Sequence, residues 1–231
     1  MQKILSALLL CALSTGGLAA SGSLLVYRVW EQGIDPYISR VIVTPDHVRL
    51  DEGSGGGGYT LFDRQQEIIY TVSTEDQSVL VMNPTELPPD PSDSLILQED
   101  VEVDEQAPAV AGRQPSNVRL LANGELCAEL VVIDGVMEDA VEGLIELKLV
   151  LARIQAATLE SLPPEMRRPC DLAMNVHAAD RALRFGLPVQ ERTEGRSQSL
   201  IDFSTDFEVD DAMFVLPAEF ARRPMFAPGA I

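Results

Sequence analysis

Short apolar runs separated by turn signals fill the chain between residues 24 and 82. The connections contain Asp35-Pro36, Pro45-Asp46 and a glycine tract at 53–58, which are typical of turns and loops. Because parallel strands need a long crossover, connections this short predict consecutive antiparallel strands. Six runs predict these strands: LLVYRVW at 24–30, ISRVIVT at 38–44, HVRLD at 47–51, YTLFD at 59–63, EIIYTV at 67–72 and SVLVM at 78–82.

The two faces of these strands do not carry the same pattern throughout. Residues 47–51 alternate between polar and apolar side chains, which predicts one face toward a core and the other toward water. Residues 24–30 instead place apolar side chains on both faces. We therefore expect a helix or a curled part of the sheet to cover the second face.

A second group of strands follows a proline-rich connector at 83–94. Asn123-Gly124, between two apolar runs, is a strong hairpin signal. The connector could mark a domain boundary, but the first six strands alone would leave an apolar face uncovered. The later runs that predict strands are LILQEDVEV at 95–103, VRLL at 118–121, LCAELVVI at 126–133, SLIDFS at 199–204 and FVLP at 214–217.

Two helices are predicted among the later strands. A long one extends from about 138 to 162, where Pro163-Pro164 ends it. A shorter one covers 176–185, with apolar residues four positions apart and a terminal glycine. The long helix is best able to cover the sheet. The pattern does not decide whether it packs directly against the sheet or leaves a pocket between them. The residues predicted to form this lid or pocket wall are Val141, Leu144, Leu151 and Ile154.

These elements predict one α+β domain over 21–231, with about eleven strands and a loosely ordered tail near 221–231. Residues 1–20 have the order of a secretory signal peptide: Lys3, an apolar run of about ten residues, and small residues ending at Ala19 and Ala20. The run is too short for a membrane-spanning helix. Cleavage next to Ala19 or Ala20 predicts a periplasmic protein with no transmembrane segment in its mature part.

Two other locations are weaker alternatives. A lipid anchor at Cys11 is disfavoured because the residue before a lipidated cysteine is normally small, and here it is Leu10. Release to the extracellular space is the other alternative.

The formal net charge is -19, and Lys3 and Lys148 are the two lysines among 17 basic residues. A surface this acidic repels nucleic acid and anionic lipid headgroups, so we expect no nucleic-acid partner. The acidic excess fits either a saline habitat or simply an acidic secreted protein.

Cys127 and Cys170 remain as an even pair once Cys11 leaves with the signal peptide. In an oxidising compartment such a pair favours a disulfide, with free buried thiols as the alternative. A metal site is disfavoured because the cysteines and the scattered His47 and His177 lack ligand spacing. No cofactor is expected.

Several polar groups could carry chemistry, and each also has a simpler interpretation. The glycine tract at 53–58 lacks a following Lys-Ser/Thr and precedes a strand, which favours a hairpin loop over a phosphate site. The acidic clusters 99–105 and 206–211 could hold calcium, but they lack the glycine and spacing of a known loop. Solvated acidic residues at a sheet edge are the favoured interpretation.

His177 lies three residues before Asp180, but the chain has no Gly-x-Ser-x-Gly elbow to supply a nucleophile. A surface or capping role is therefore favoured. Lys148, near the apolar stripe of the long helix, could meet a ligand carboxylate at the mouth of a cavity. Extension of its amine into water is the commoner behaviour.

The order of parts resembles a known superfamily. The strands of YTLFDRQQEIIYTVSTEDQSVLVM, a covering helix and the ending IDFSTDFEVDDAMFVLPAEF are similar to the secreted half-barrel superfamily of the periplasmic lipoprotein carriers LolA and LolB. The likeness is greatest to its uncharacterised domains of unknown function. In that superfamily the parts matched by Phe62-Asp63 and by 214–217 lie on the sheet and at its closing edge.

The resemblance implies an incomplete antiparallel β-barrel around an apolar cavity, covered by one long and one short helix. The carriers bind acyl chains there. This chain departs from them by entering a strand almost at once and by its cysteine pair, so no ligand-binding residue is transferred.

The leading hypothesis is a non-enzymatic envelope protein that binds an apolar ligand, such as an acyl chain or lipid, on a curved sheet. The alternative is a structural or protein-interaction module of the periplasm with a packed core. A continuous apolar pocket of several hundred Å³ would favour the first, and a filled core the second.

Overall fold

The computed structural model describes residues 20–53, 57–84, 95–160 and 162–225. The predicted signal peptide up to Ala19, most of the proline-rich connector and residues 226–231 of the predicted tail lie outside these ranges. The middle of the glycine tract, 54–56, lies outside them as well.

One open sheet of twelve strands contains strands from both sides of the connector, in the order β12-β6-β5-β4-β3-β2-β1-β11-β10-β9-β8-β7. Adjacent strands are antiparallel, except that β12 runs parallel to β6. The prediction of an α+β fold with consecutive antiparallel strands is confirmed. The strands are β1 (Ala20–Glu31), β2 (Ile34–Val43), β3 (His47–Asp51), β4 (Tyr59–Asp63), β5 (Ile68–Ser73), β6 (Ser78–Met82), β7 (Leu97–Val103), β8 (Ser116–Ala122), β9 (Glu125–Ile133), β10 (Leu187–Thr193), β11 (Arg196–Val209) and β12 (Ala221–Pro224).

The helical elements lie mainly between β9 and β10. The long helix α1 spans Glu138–Glu160, and the short helix α2 spans Pro169–Leu172. A π-helical turn at Ala173–His177 and a 3₁₀ turn at Leu183–Phe185 follow α2. Further 3₁₀ turns lie at Pro164–Met166 and Asp211–Phe214.

Most differences from the predicted elements lie after α1. The short helical region begins at Pro169, earlier than the predicted 176–185, and breaks into separate turns. Strand β10 was not predicted, since it contains Pro188 and ends in four polar residues from Gln190, and pairing with β9 and β11 holds it in place. Residues 214–217 do not form a strand. Residues 221–224, predicted as loose tail, form β12 because they pair with the exposed edge of β6.

Local turn chemistry sets the register of two hairpins. Asn123 and Gly124 have φ angles of 51° and 80°, which is the left-handed geometry of a tight hairpin turn between β8 and β9. At the end of β4, the Asp63 carboxylate accepts hydrogen bonds from the backbone N–H groups of Gln65 and Gln66 at 3.0 and 2.8 Å. The hairpin predicted from Asn123-Gly124 is confirmed.

Helix α1 packs against β1, β2 and β3 on one face of the sheet, which we call the helix face. Gly143 permits the close approach, because a Cβ atom there would lie 2.7 Å from Val43 Cγ1 and 3.2 Å from Val48 Cγ2. Arg64 fastens the helix to the sheet by donating to both carboxylate oxygens of Glu146, at 2.6 and 2.8 Å. These contacts position α1 over the core.

The core lies beneath α1 on the helix face. Most of its strand residues lie on β1–β5, Ile133 of β9 and Leu187 of β10 join them, and residues of α1 complete it from above. The principal members are Leu25, Val29, Val43, Val48, Phe62, Ile69, Ala140, Leu147, Val150 and Ile154.

The opposite face of β2–β5, which we call the outer face, also carries buried apolar side chains, such as Ile42 and Leu61. The segment around the 3₁₀ turn Asp211–Phe214 lies over part of this face. The Phe214 ring stacks on His47 with centroids 5.1 Å apart, and the Arg49 guanidinium donates to the Met213 carbonyl. The C-terminal segment thus covers part of the outer face. The second face of the strand at 24–30, for which a helix or a curled part of the sheet was expected as a cover, is left partly open, since Trp30 is 39% exposed.

The disulfide predicted between Cys127 and Cys170 is confirmed, with a Cα–Cα distance of 5.2 Å. Cys127 lies on β9 and Cys170 lies in α2. The bond therefore ties the start of the short helical region to the sheet.

Replacing Gly143 with leucine should destabilise the protein by about 1–3 kcal/mol, because the side chain has no space between α1 and Val43. Urea unfolding followed by circular dichroism measures the loss. The matched control is Ala157→Leu at an exposed position of α1, where we expect a change within about 0.5 kcal/mol. Equal stability of the two variants would contradict the close packing.

Replacing Cys127 with serine should lower the free energy of unfolding by about 2–4 kcal/mol, because the bond closes a loop with a sequence separation of 43. Urea unfolding of oxidised and reduced wild type measures the same quantity independently. Two titratable thiols in the oxidised, denatured protein would show that the bond is absent.

Candidate functional site

A cavity of about 420 Å³ lies on the helix face, between the sheet, α1 and the turns that follow α2. Its walls come from three parts of the chain. The lining is Tyr27, Ser39, Val41 and Leu50 from β1–β3, Leu144 and Lys148 from α1, Met174, Asn175, Ala179, Ala182 and Leu183 from the turns, and Pro188, Glu191, Thr193, Arg196 and Gln198 from β10 and β11.

The position of the cavity follows from where the helical elements attach to the sheet. α1 covers β1–β3, and the disulfide holds α2 at β9. Strands β11 and β10 lie between these two attachment points in the sheet order. The cavity lies over this interval, with mostly apolar residues and also Lys148 and Asn175 on the helical side, and several polar residues on the strands.

Three polar residues of the lining, Glu191, Arg196 and Gln198, belong to a chain of hydrogen bonds that also includes Glu31 and Tyr37, which lie outside the lining. Tyr37 Oη donates to Glu31 Oε1 at 2.8 Å, and Arg196 Nε donates to the same oxygen at 3.1 Å. Arg196 Nη2 donates to Gln198 Oε1 at 2.8 Å, and Gln198 Nε2 donates to Glu191 Oε2 at 2.8 Å. This chain fixes the orientation of the polar strand residues.

Tyr27 lines the cavity and is buried. Burial, with a smaller contribution from the Glu191 charge, raises the pKa of its hydroxyl. The hydroxyl donates to the Pro188 carbonyl at 3.1 Å. Tyr27 is therefore a protonated hydrogen-bond donor at neutral pH and contributes no phenolate.

The structure separates the four residues predicted as pocket or lid. Leu144 lines the cavity. Ile154 is buried in the core, and Val141 and Leu151 pack against that core as partly buried side chains. Lys148, weighed as a residue at a cavity mouth, also lines the cavity.

Sequence reasoning missed the strand residues of the cavity, among them Tyr27, Glu191, Arg196 and Gln198. The spacing of Arg196, Gln198 and Leu200 could have indicated that these residues lie on one face of the sheet, since alternate residues of a strand share a face. This spacing alone did not predict the cavity wall, because β10, the neighbouring strand of β11, was not recognised as a strand.

The other predicted candidates have structural roles or no assembled site. In the described part of the chain, no three His, Cys, Asp or Glu side chains lie close enough together to hold a metal ion. Residues 99–103 belong to β7, which is one of the two edge strands of the sheet and is exposed along its length. Asp210 caps the 3₁₀ turn by accepting from Ala212 N at 2.9 Å.

The pair His177 and Asp180 does not form an isolated catalytic unit. His177 ends the π-helical turn and is half-buried. The Asp180 carboxylate accepts two hydrogen bonds from Arg184, at 2.9 and 2.8 Å.

A groove of similar volume lies on the outer face of β8–β11, away from α1. It is lined only by strand residues, including Arg119, Glu129 and Arg192. Arg192 and Glu129 form an exposed ion pair at 3.5 Å. The groove has less apolar surface and no helical wall, so the helix-face cavity is the better candidate for a ligand site.

Arg181 is a buried cation that belongs to the fold rather than to the cavity lining. It is 0% exposed and donates to the Leu121 and Gln98 carbonyls at 3.1 and 2.8 Å. Burial lowers the pKa of its guanidinium, while Glu99 opposes that shift. These bonds tie the turns after α2 to β7 and β8.

Asp51 is the centre of a charged cluster on the outer face. Its carboxylate accepts from Arg40 Nε at 2.7 Å, from Arg49 Nε at 2.8 Å and from Gly53 N at 2.9 Å. The Arg49 guanidinium also lies 3.7 Å from the centre of the Tyr59 ring, and Tyr59 Oη donates to the Val215 carbonyl at 3.3 Å. The cluster therefore anchors the C-terminal segment.

No helix in the described ranges combines the length and apolar character needed to cross a bilayer. No protein-family model and no curated protein matches the sequence.

Two solved structures are similar in shape. An uncharacterised conserved protein from Thermus thermophilus has 9% identity and a TM-score of 0.45, over 89% of this chain and 91% of that chain. PNGF-II has 9% identity and a TM-score of 0.42, over 89% of this chain and 31% of that chain. Likenesses this distant say nothing about function.

Replacing Asp51 with asparagine should cost about 1–3 kcal/mol at pH 7, because two arginines lose their charged partner. Burial alone would raise the pKa of Asp51, but hydrogen bonds from Arg40, Arg49 and Gly53 lower it overall. Since the folded-state pKa lies below the unfolded value of about 4, this stabilisation is full above that value and is lost as the pH falls through the folded pKa.

Urea unfolding at pH 7 and pH 3 tests this account of Asp51. The difference between wild type and Asp51→Asn should be larger at pH 7 than at pH 3. The control is Asp100→Asn, whose carboxylate forms an exposed pair with Arg119 at 3.6 Å and should change stability by less than about 1 kcal/mol. A difference that is constant between the two pH values would refute the role of the charge.

Proposed function

We propose that this protein is an exported, non-enzymatic envelope protein that binds an apolar ligand, such as an acyl chain, in the helix-face cavity. In this proposal the open sheet forms half of a barrel, and α1 with the turns after α2 forms its lid. The observation that carries the proposal is the cavity of about 420 Å³ between these elements.

The size and lining of the cavity support a ligand site. Small-molecule sites in proteins have volumes of about 300–1,000 Å³, with mostly apolar walls and a few placed polar groups. Here Leu50, Leu144, Met174 and Leu183 supply apolar surface. Tyr27 and the hydrogen-bonded strand residues supply the polar groups.

The polar side chains favour binding over catalysis. Glu191 accepts from Gln198, Arg196 is engaged by Glu31 and Gln198, and Tyr27 donates to a backbone carbonyl. Groups that already satisfy one another can orient a ligand, but they form no nucleophile and base pair of the kind that covalent catalysis uses. A periplasmic location is supported by the signal-like N-terminus and by the disulfide, which requires an oxidising compartment to persist.

A protein-interaction module is the second candidate function, and the edge strand β7 is the observation that favours it. All seven residues of β7 are exposed, including Val101 at 53% and Val103 at 56%. An edge strand of this kind can accept an added strand from a partner.

Uptake of the neutral fluorophore 1-N-phenylnaphthylamine tests the ligand proposal. Wild type should bind it, and Ala182→Phe, which fills the cavity, should weaken binding by about ten-fold or more. The matched control Ala157→Phe lies at an exposed position of α1 and should bind as wild type does. Circular dichroism shows that each variant is folded.

Lipid extraction and mass spectrometry of periplasmic protein provide the second measurement. We expect a co-purifying amphiphile in the wild type and less of it in Ala182→Phe. A folded wild type that takes up no probe and carries no lipid would overturn the proposal in favour of the interaction module.

A further inference from the structure

We propose that the ligand of the helix-face cavity is a single-chain amphiphile with an anionic head group, and that Lys148 binds this head group. The inference rests on the proposed function and adds the chemical class of the ligand. The shared chemistry is a carboxylate or a phosphate monoester at one end of an acyl or alkyl chain.

The lining of the cavity is less acidic than the protein as a whole. The chain has a formal net charge of -19. The charged residues that line the cavity are two cations, Lys148 and Arg196, and one anion, Glu191. Glu31, outside the lining, offsets the charge of Arg196, so Lys148 is the lining cation whose charge is not offset by an ion pair among the described residues. An unpaired cation beside apolar walls favours an anion over a neutral group.

Lys148 is the cation that is available to a ligand. It is exposed and forms no ion pair with any other described residue. Nearby cations that contact or belong to α1 are paired: Arg64 with Glu146 at 2.6 Å, and Arg153 with Glu67 at 2.7 Å. Arg196 is held by Glu31 at 3.1 Å. An anion that enters the cavity would therefore form its ion pair with the Lys148 amine.

The spacing of Lys148 and Leu144 suits an amphiphile. They are four residues apart, which places them on the same face of α1, and both line the cavity. Leu144 supplies apolar surface for a chain one helical turn from the amine. The flexible stem of a lysine also lets its charge stay near water while its methylene groups cover apolar surface.

Lysine is otherwise absent from the described chain, since Lys3 lies outside the described residues and the remaining basic residues are arginines. An ammonium group is a compact point charge, whereas guanidinium recognises planar anions in a fixed geometry. Lys148 can therefore meet a carboxylate or a phosphate without a fixed orientation of the head group.

Displacement of 1-N-phenylnaphthylamine measures binding of three ligands with the same chain: dodecanoate, dodecyl phosphate and neutral 1-dodecanoylglycerol, each below its micelle concentration. Wild type should prefer at least one anionic ligand to the neutral one by about ten-fold. Lys148→Gln should remove that preference and leave neutral-ligand affinity within about two-fold. Lys148→Arg should retain it.

Arg153→Gln is the matched control, since it removes one positive charge from α1 outside the cavity lining and should retain the preference. A direct readout is acetylation of Lys148 by an N-hydroxysuccinimide ester, followed by peptide mass mapping. The preferred anionic ligand should slow this reaction more than 1-dodecanoylglycerol does at equal occupancy.

The outcomes separate the two proposals. A preference for dodecanoate alone identifies a carboxylate head group, and a preference for dodecyl phosphate alone identifies a phosphate. Equal binding of all three ligands, or a preference that survives Lys148→Gln, overturns the role of Lys148 and leaves the apolar site standing. Failure of folded wild type to bind any of the three, or the fluorophore, overturns the proposed function itself.

Discussion

Burial of apolar side chains on both faces of the same strands is the constraint on which this structure depends. Val43 and Val48 lie on the helix face, and Ile42 and Leu61 lie on the outer face. A sheet with two apolar faces must bury both, because exposed apolar area is costly in water. α1 covers one face, at a distance that Gly143 permits, and the C-terminal segment covers part of the other.

The candidate site follows from how the helix-face cover is attached. The first half of α1 is fastened to the sheet by Arg64 and Glu146, and α2 is fastened at β9 by the disulfide. The two attachment points lie on opposite sides of β11 and β10. The cover spans this interval without filling it, so the polar residues of β10 and β11 meet a cavity rather than a packed helix.

Electrostatics divides the molecule into regions with different roles. The Arg64–Glu146 ion pair joins elements that are distant in sequence. The Asp51 cluster joins the neighbouring strands β2 and β3 and holds Arg49, which donates to the Met213 carbonyl of the C-terminal segment. The acidic residues of β7 lie at a sheet edge, where charge opposes unwanted strand pairing. Lys148 belongs to neither group: it lines the helix-face cavity and forms no ion pair with another described residue.

The sequence by itself determined the elements whose cause is local. The strand at 47–51 follows from its period-two pattern, and the strands at 59–63 and 78–82 follow from short apolar runs bounded by turn residues. Asn123-Gly124 predicts a hairpin because both residues readily adopt the positive φ angles of its tight turn. The Cys127–Cys170 bond followed from cysteine parity. Tertiary structure decided that β10 and β12 are strands, since each is held extended by hydrogen bonds to neighbouring strands. Tertiary structure also decided that a cavity forms. The helical cover leaves a space above the sheet because α1 and α2 are attached to strands on opposite sides of β11 and β10.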